Sequence, residues 1–130
     1  MLKINKIFLL VLLALALVCV GCSKAEEASY EQISGAEAKA LMDSESGYII
    51  IDSRTQSEFD SGHIEGAILI PEYEIASRAA SELPDKKQLI LIYCRSGRRS
   101  KIAADELVKL GYTNVKEFGG IIDWEYEIVK

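Results

Sequence analysis

Cysteine, proline and basic residues are all scarce in this 130-residue chain, and each scarcity removes a class of protein. Lys and Arg number 15 against 20 Asp and Glu, a formal net charge of −5. Such a surface has no general claim on nucleic acid, whose binding rests on clustered Lys and Arg. Neither internal repeats nor low-complexity tracts occur, which sets aside solenoids and disordered tails. The 2 prolines, Pro71 and Pro84, each stand where an apolar pattern stops. The longest apolar run, Ile7 to Val20, falls short of the roughly 20 residues a bilayer helix needs. Cysteines number 3, and their placement decides what each can do.

The first of these sits in the N-terminal segment, where Lys3 and Lys6 precede the apolar run and Gly21-Cys22 closes it. A positive start, a short apolar stretch and a small residue before a cysteine describe an export signal. The junction resembles that of a bacterial lipoprotein, in which Cys22 is lipidated and becomes the new N-terminus. The expected organisation is therefore a signal over residues 1–21, a polar tether over 22–29 and one domain over 30–130, with an uncleaved anchor as the competing reading. The expected location is extracytoplasmic, held to the cell membrane or the outer membrane. Removal of the signal takes two lysines and no acid, so 13 basic and 20 acidic residues remain and the charge becomes −7. Cys19 leaves with the signal and Cys22 carries lipid. Cys94 is then the one free thiol, with no partner for an internal disulfide. In an oxidising compartment, where cysteines normally pair, a solitary thiol needs a reason.

About 100 residues from Tyr30 onward suffice for one core. Ser34 with Glu37 forms a capping box ahead of a helix ending near Asp43, with Ala38, Leu41 and Met42 on its apolar face. The uninterrupted run Tyr48 to Ile51 predicts a strand buried on both faces, with Asp52 at its carboxyl end. Thr55 with Glu58 makes a second capping box for a short helix through Asp60. Ala67 to Ile70 predicts a strand, and Tyr73 to Leu83 a helix ended by Pro84. Leu89 to Tyr93 is the most apolar strand and is expected at the centre. A helix from Arg99 or Ser100 to Leu110 follows, with Ile102, Ala103, Leu107 and Leu110 inward and Gly111 as its cap. Val115 to Phe118 predicts the last strand, and Ile121 to Ile128 a terminal helix. Strands alternating with helices imply an α/β fold, an open parallel sheet of about five strands with helices on both faces.

In such sheets, sites form beyond the carboxyl ends of strands, where Asp52 and Cys94 both fall. Cys94 opens the loop Cys94-Arg95-Ser96-Gly97-Arg98-Arg99-Ser100 between the central strand and a helix. Backbone N–H groups and the helix dipole favour negative charge there. Arg95, Arg98, Arg99 and Lys101 follow with no acid among them, so the local field lowers the thiol from its usual pKa of about 8.5 and attracts an anion. A nucleophile and an anion site coincide.

Several ordered segments resemble the rhodanese family of single-domain sulfurtransferases. They are Ile51-Asp52-Ser53-Arg54 with Glu58-Phe59, Gly62-His63-Ile64 with Gly66-Ala67, Ile70-Pro71, the loop Cys94 to Arg99, and Gly119-Gly120 with Trp124. The resemblance implies a Cys94 thiolate that takes a sulfane sulfur from a small anionic donor such as thiosulfate and passes it to cyanide, a thiol or a protein acceptor, with no metal or organic cofactor. Successive N–H groups from Arg95, Ser96, Gly97, Arg98 and Arg99 are expected to cradle the outer sulfur, with arginine side chains on the donor's oxyanion. Asp52 and Arg54 are supporting residues, expected as a buried pair that fixes the adjacent loop. His63, the single histidine, is expected to be a structural hydrogen bonder, and Trp124 and Phe118 to cover the core. Two other functions compete: a rhodanese-like module that binds a partner or presents sulfur without turnover, and a phosphatase or arsenate reductase relative. The second requires five residues between cysteine and arginine, whereas four separate Cys94 from Arg99 and Ser100 occupies the sixth position.

Overall fold

The computed structural model describes residue 21 and residues 27–130. The expected signal apart from Gly21, together with Cys22 and most of the expected tether, lies outside the described residues. Five strands form one parallel sheet in the order β1-β5-β4-β2-β3: β1 (Glu31–Gln32), β2 (Ile49–Asp52), β3 (Ala67–Leu69), β4 (Ile90–Cys94) and β5 (Val115–Gly120). The helices are α1 (Gly35–Ser44), α2 (Gln56–Ser61), α3 (Ile75–Glu82) and α4 (Arg98–Lys109). The most apolar run is the central strand, as its composition required.

Alternation along the strands divides the core in two. Ile90 and Ile92 of β4 join Ile51, Val115 and the inner faces of α3 and α4, including Ala79, Ala103 and Leu107. Leu91 and Tyr93 point the other way, toward Ile50, Ile64, Phe118 and Ala38 of α1. Both sheet faces are thus covered, which is why β2 and β4 read as continuous apolar runs rather than alternating ones. Each Ile or Leu fully buried in this way contributes roughly 1.5–3 kcal/mol.

Both capping boxes form: Ser34 and Thr55 accept the backbone N–H of Glu37 and Glu58, whose carboxylates accept the cap N–H in return. Four local expectations are corrected. The edge strand Glu31–Gln32 is too short and too polar to carry a periodic signal. Tyr73 belongs to a 3-10 turn, Glu72–Glu74, that precedes α3, and is 72 % exposed. In α4 the inward face holds Ser100, Ala103, Ala104 and Leu107, whereas Ile102 is exposed and Leu110 only partly covered. The face is therefore rotated from the one its largest apolar residues suggest. Finally, Ile121 to Ile128 is not a helix: a 3-10 turn, Ile121–Asp123, gives way at Trp124 to extended chain. There the Trp124 ring packs on Phe118 and Tyr126, and Val129 exchanges two backbone hydrogen bonds with His63. Long-range contacts override local helical spacing in that tail.

Candidate active site

Cys94 is the last residue of β4, and α4 starts only four residues later. Gly97, at the N-cap of α4, has φ +104°, a left-handed conformation that glycine adopts without strain. This bend turns the Gly97 N–H back onto Cys94 Sγ at 3.0 Å, and the Ser100 hydroxyl stands 3.4 Å from the same sulfur. Cys94 is 1 % exposed. Burial by itself pushes the thiol up, but the Ser100 hydroxyl and the backbone N–H groups of Ser100, Gly97 and Ser96 outweigh it and bring Cys94 below the ordinary thiol value. Such donors favour negative charge on the sulfur, the thiolate form of Cys94.

The loop is held from behind by β5. Cys94 pairs with Gly120 after a register shift in the β4–β5 ladder, and the Ile122 N–H donates to the Arg95 carbonyl at 3.2 Å. A Cβ on Gly120 would lie 1.9 Å from that carbonyl oxygen. Gly120 at the end of β5 is therefore the floor on which the cysteine loop rests.

The arginines divide by position. Arg95, Ser96 and Arg98 are exposed on the outer side of the loop. Arg99 is directed elsewhere: its Nη1 and Nη2 donate to the two Glu58 oxygens, both at 2.8 Å. This bidentate pair clamps the start of α4 to α2, and sequence reasoning assigned Glu58 only its capping role. The Arg99 guanidinium, with help from Thr55, holds the Glu58 carboxyl well below the usual carboxylate range. A depressed folded value contributes stability that is present above the unfolded pKa of about 4.3 and is lost as pH falls through the folded value. Arg99→Gln is therefore expected to return Glu58 to a titration midpoint of about 4 in carboxyl NMR, where wild type stays ionised at pH 3. The variant's thermal stability should fall less than that of wild type between pH 5 and pH 3; an equal fall would refute the clamp.

Asp52 and Arg54 form a buried pair, 0 % and 5 % exposed. Arg54 Nη2 donates to Asp52 Oδ2 at 2.7 Å and to the Gly62 carbonyl at 2.7 Å, while the Tyr93 hydroxyl donates to Asp52 Oδ2 at 2.8 Å. The pair fixes the turn after β2 and, through Tyr93, the last turn of β4 beside Cys94. His63 stacks on Phe59 with centroids 3.7 Å apart, and its Nδ1 lies 2.9 Å from the Phe59 carbonyl, a structural setting. Phe118 is buried and Trp124 packs against the same cluster.

Ser100 and Glu117 escaped sequence reasoning. Glu117 is 2 % exposed, and its Oε1 accepts the Ser100 hydroxyl and the Gly119 N–H, both at 2.7 Å. The available signal was position: Glu117 is two residues from inward-facing Val115, on the face that carries Cys94.

Comparison with known proteins agrees with this geometry, since the rhodanese-like domain family matches residues 34–127. The chain belongs to the rhodanese family. It is 40 % identical over 73 residues to thiosulfate sulfurtransferase PspE of Escherichia coli, covering 56 % of this chain and 70 % of that protein. A sulfurtransferase of Allochromatium vinosum is 42 % identical over 77 residues, or 58 % of this chain and 70 % of the relative. Among solved structures, a rhodanese with anions from E. coli superposes with a TM-score of 0.60 at 37 % identity, covering 64 % of this chain and 98 % of that one. The rhodanese fold thus accounts for the five-stranded parallel sheet with helices on both faces.

Proposed function

We propose that this rhodanese domain is a sulfurtransferase that carries sulfur as a persulfide on Cys94, taking it from thiosulfate or a persulfide donor. The observation that carries the reading is a buried Sγ at the end of the central strand, met by the Gly97 N–H at 3.0 Å and poised at the N-terminus of α4. In the first half-reaction the Cys94 thiolate attacks the outer sulfur of thiosulfate. The new S–S bond forms as the donor's S–S bond breaks, and sulfite leaves with the electron pair. One thiolate and one thiosulfate dianion give one persulfide anion and one sulfite dianion, so charge and atoms balance. In the second, a thiol or cyanide attacks the outer sulfur and the Cys94 thiolate departs, completing a ping-pong cycle. Arg95 and Arg98 on the rim supply positive charge for the donor, and the N–H groups of the four-residue loop form a ring sized for one sulfur rather than a tetrahedral phosphate.

The test is the mass of the chain before and after thiosulfate. We expect a gain of one sulfur atom, located to Cys94 by peptide mapping, with thiocyanate released on adding cyanide. Cys94→Ser should show neither. Sulfur uptake undiminished in that variant would end the proposal.

The same reading places the domain outside the cytoplasm, tethered through lipid on Cys22. It is supported by the charged start, the short apolar run and Gly21-Cys22. Partition of the expressed chain into detergent, abolished by Cys22→Ala, checks it.

A further inference from the structure

A buried acid stands beside the nucleophile, and sulfur transfer as written above does not use it. Period-two alternation puts Val115 and Glu117 of β5 on the α4 side of the sheet, with Ile92 of β4 and Cys94 beyond it. Ser100 of α4, fully buried, points into the space between Glu117 and Cys94. Its Oγ lies 2.7 Å from Glu117 Oε1, 3.1 Å from the Gly97 carbonyl, 3.4 Å from the Gly119 carbonyl and 3.4 Å from Cys94 Sγ. A serine hydroxyl owns one hydrogen. The carboxylate is both the nearest and the strongest of the four acceptors, and the Gly119 N–H converges on the same oxygen at 2.7 Å. The carboxylate therefore competes for that hydrogen and weakens the Ser100 donation to the sulfur.

We propose that Glu117 is a positioning residue that restrains Cys94: by competing for the single Ser100 hydrogen and setting a carboxylate beside the Ser100 hydroxyl that touches Sγ, it disfavours negative charge on the empty sulfur relative to the loaded one. In a persulfide Sγ is a neutral bridging atom, and the charge sits on the outer sulfur, about 2 Å away. Glu117 thus destabilises the thiolate that the second half-reaction must regenerate, and biases the site toward holding its sulfur. The persulfide consequence rests on the sulfur-carrier reading; the restraint on the thiolate does not. Other charged and titratable groups surround the pair. Arg99 of α4, closed onto Glu58 of α2, acts on Cys94, and the Asp52–Arg54 pair with Tyr93 lies beyond it. Tyr30 lies within electrostatic reach of Glu117 and of Asp105. None of them shares the Ser100 hydroxyl.

The experiment is the pH dependence of Cys94 alkylation by iodoacetamide in the full chain, read at the Cys94 peptide by mass spectrometry. Glu117→Gln keeps the shape and removes the charge. It should lower the midpoint by about one unit, which makes alkylation about tenfold faster below both midpoints. Ser100→Ala should raise the midpoint more in the Glu117→Gln background than in wild type, because a neutral amide competes less well for the hydroxyl hydrogen. A purely structural role would not lower the midpoint. An unchanged or raised midpoint in Glu117→Gln, or an equal effect of Ser100→Ala in both backgrounds, overturns the proposal. Should Glu117→Gln fail to fold, the wild-type protein answers instead. The Glu117 carboxyl carbon should shift at the Cys94 midpoint and lose that inflection in Cys94→Ser, and absence of the inflection in wild type overturns it. No sulfur donor enters either measurement, so a chain that fails to form a persulfide refutes the sulfur-carrier reading and leaves this result to stand or fall separately.

Discussion

Gly120→Ala is expected to dismantle the cysteine loop while the sheet persists. The backbone of Gly120 is ordinary extended chain, φ −135° and ψ 155°, so its conformation does not demand glycine. Space does. An added Cβ would lie 1.9 Å from the Arg95 oxygen, 2.3 Å from its carbonyl carbon and 2.5 Å from the Ser96 nitrogen. All three are backbone atoms, and no side-chain rotation relieves the overlap. The loop must move by an ångström or more, which takes the Gly97 N–H off the sulfur and breaks the Ile122 hydrogen bond to Arg95. Displacement of that size at a reacting centre costs roughly 10²-fold in rate, and overpacking costs about 1–3 kcal/mol in stability. Gly119→Ala is the control. Gly119 has φ +85° but nothing within 4 Å of its added Cβ, so that substitution costs only the left-handed penalty of about 1–2 kcal/mol and leaves the loop seated. Persulfide formation and melting temperature of the two variants separate the effects. Sulfur uptake in Gly120→Ala equal to that in Gly119→Ala would mean the loop yields freely and the floor is not needed.

What the sequence made legible follows from how local each signal was. Two capping boxes, a central apolar run and a cysteine before a glycine-containing loop are encoded within a few residues, and the structure places all of them as read. The α/β fold with a parallel sheet followed from alternating patterns. The features that were missed depend on partners distant in the chain. Glu58 reads as a cap because its partner Thr55 is three residues away, whereas its pairing with Arg99 spans 41 residues. Glu117 looks like a solvated charge in a short strand, and only the β4–β5 register and the rotation of α4 bring it to Ser100 and Cys94. The C-terminal tail misled for the same reason. Ile121, Trp124 and Ile128 have helical spacing, but the tail is fixed by Trp124 on Phe118 and by Val129 paired to His63. Arg99, expected with the other loop arginines on the donor's oxyanion, is closed onto Glu58, and the exposed positive charge of the loop is that of Arg95 and Arg98.

Asp52→Ala should have the largest effect on stability. Asp52 accepts from the Arg54 backbone N–H at 3.0 Å, from Arg54 Nε and Nη2, and from the Tyr93 hydroxyl at 2.8 Å. Removing its carboxylate leaves a guanidinium that is 5 % exposed with the Gly62 carbonyl as its remaining acceptor, and takes the acceptor from a buried phenol. Breaking one side of a buried pair costs about 3–5 kcal/mol, a large share of the roughly 5–15 kcal/mol that holds a domain together. Tyr93→Phe, which loses one donor and leaves the Ile64 N–H without its acceptor, should cost less, about 1–3 kcal/mol. The pair's own net worth is a separate quantity. If desolvation nearly cancels attraction, as is common for buried ions, then the double replacement Asp52→Leu with Arg54→Met should recover most of what Asp52→Ala loses. Urea denaturation of the four proteins measures this directly. A double variant as unstable as the single would show that the ions themselves stabilise the fold. Recovery of stability with slowed persulfide formation would instead assign the pair to holding Tyr93 and the end of β4, and therefore the direction in which Cys94 points.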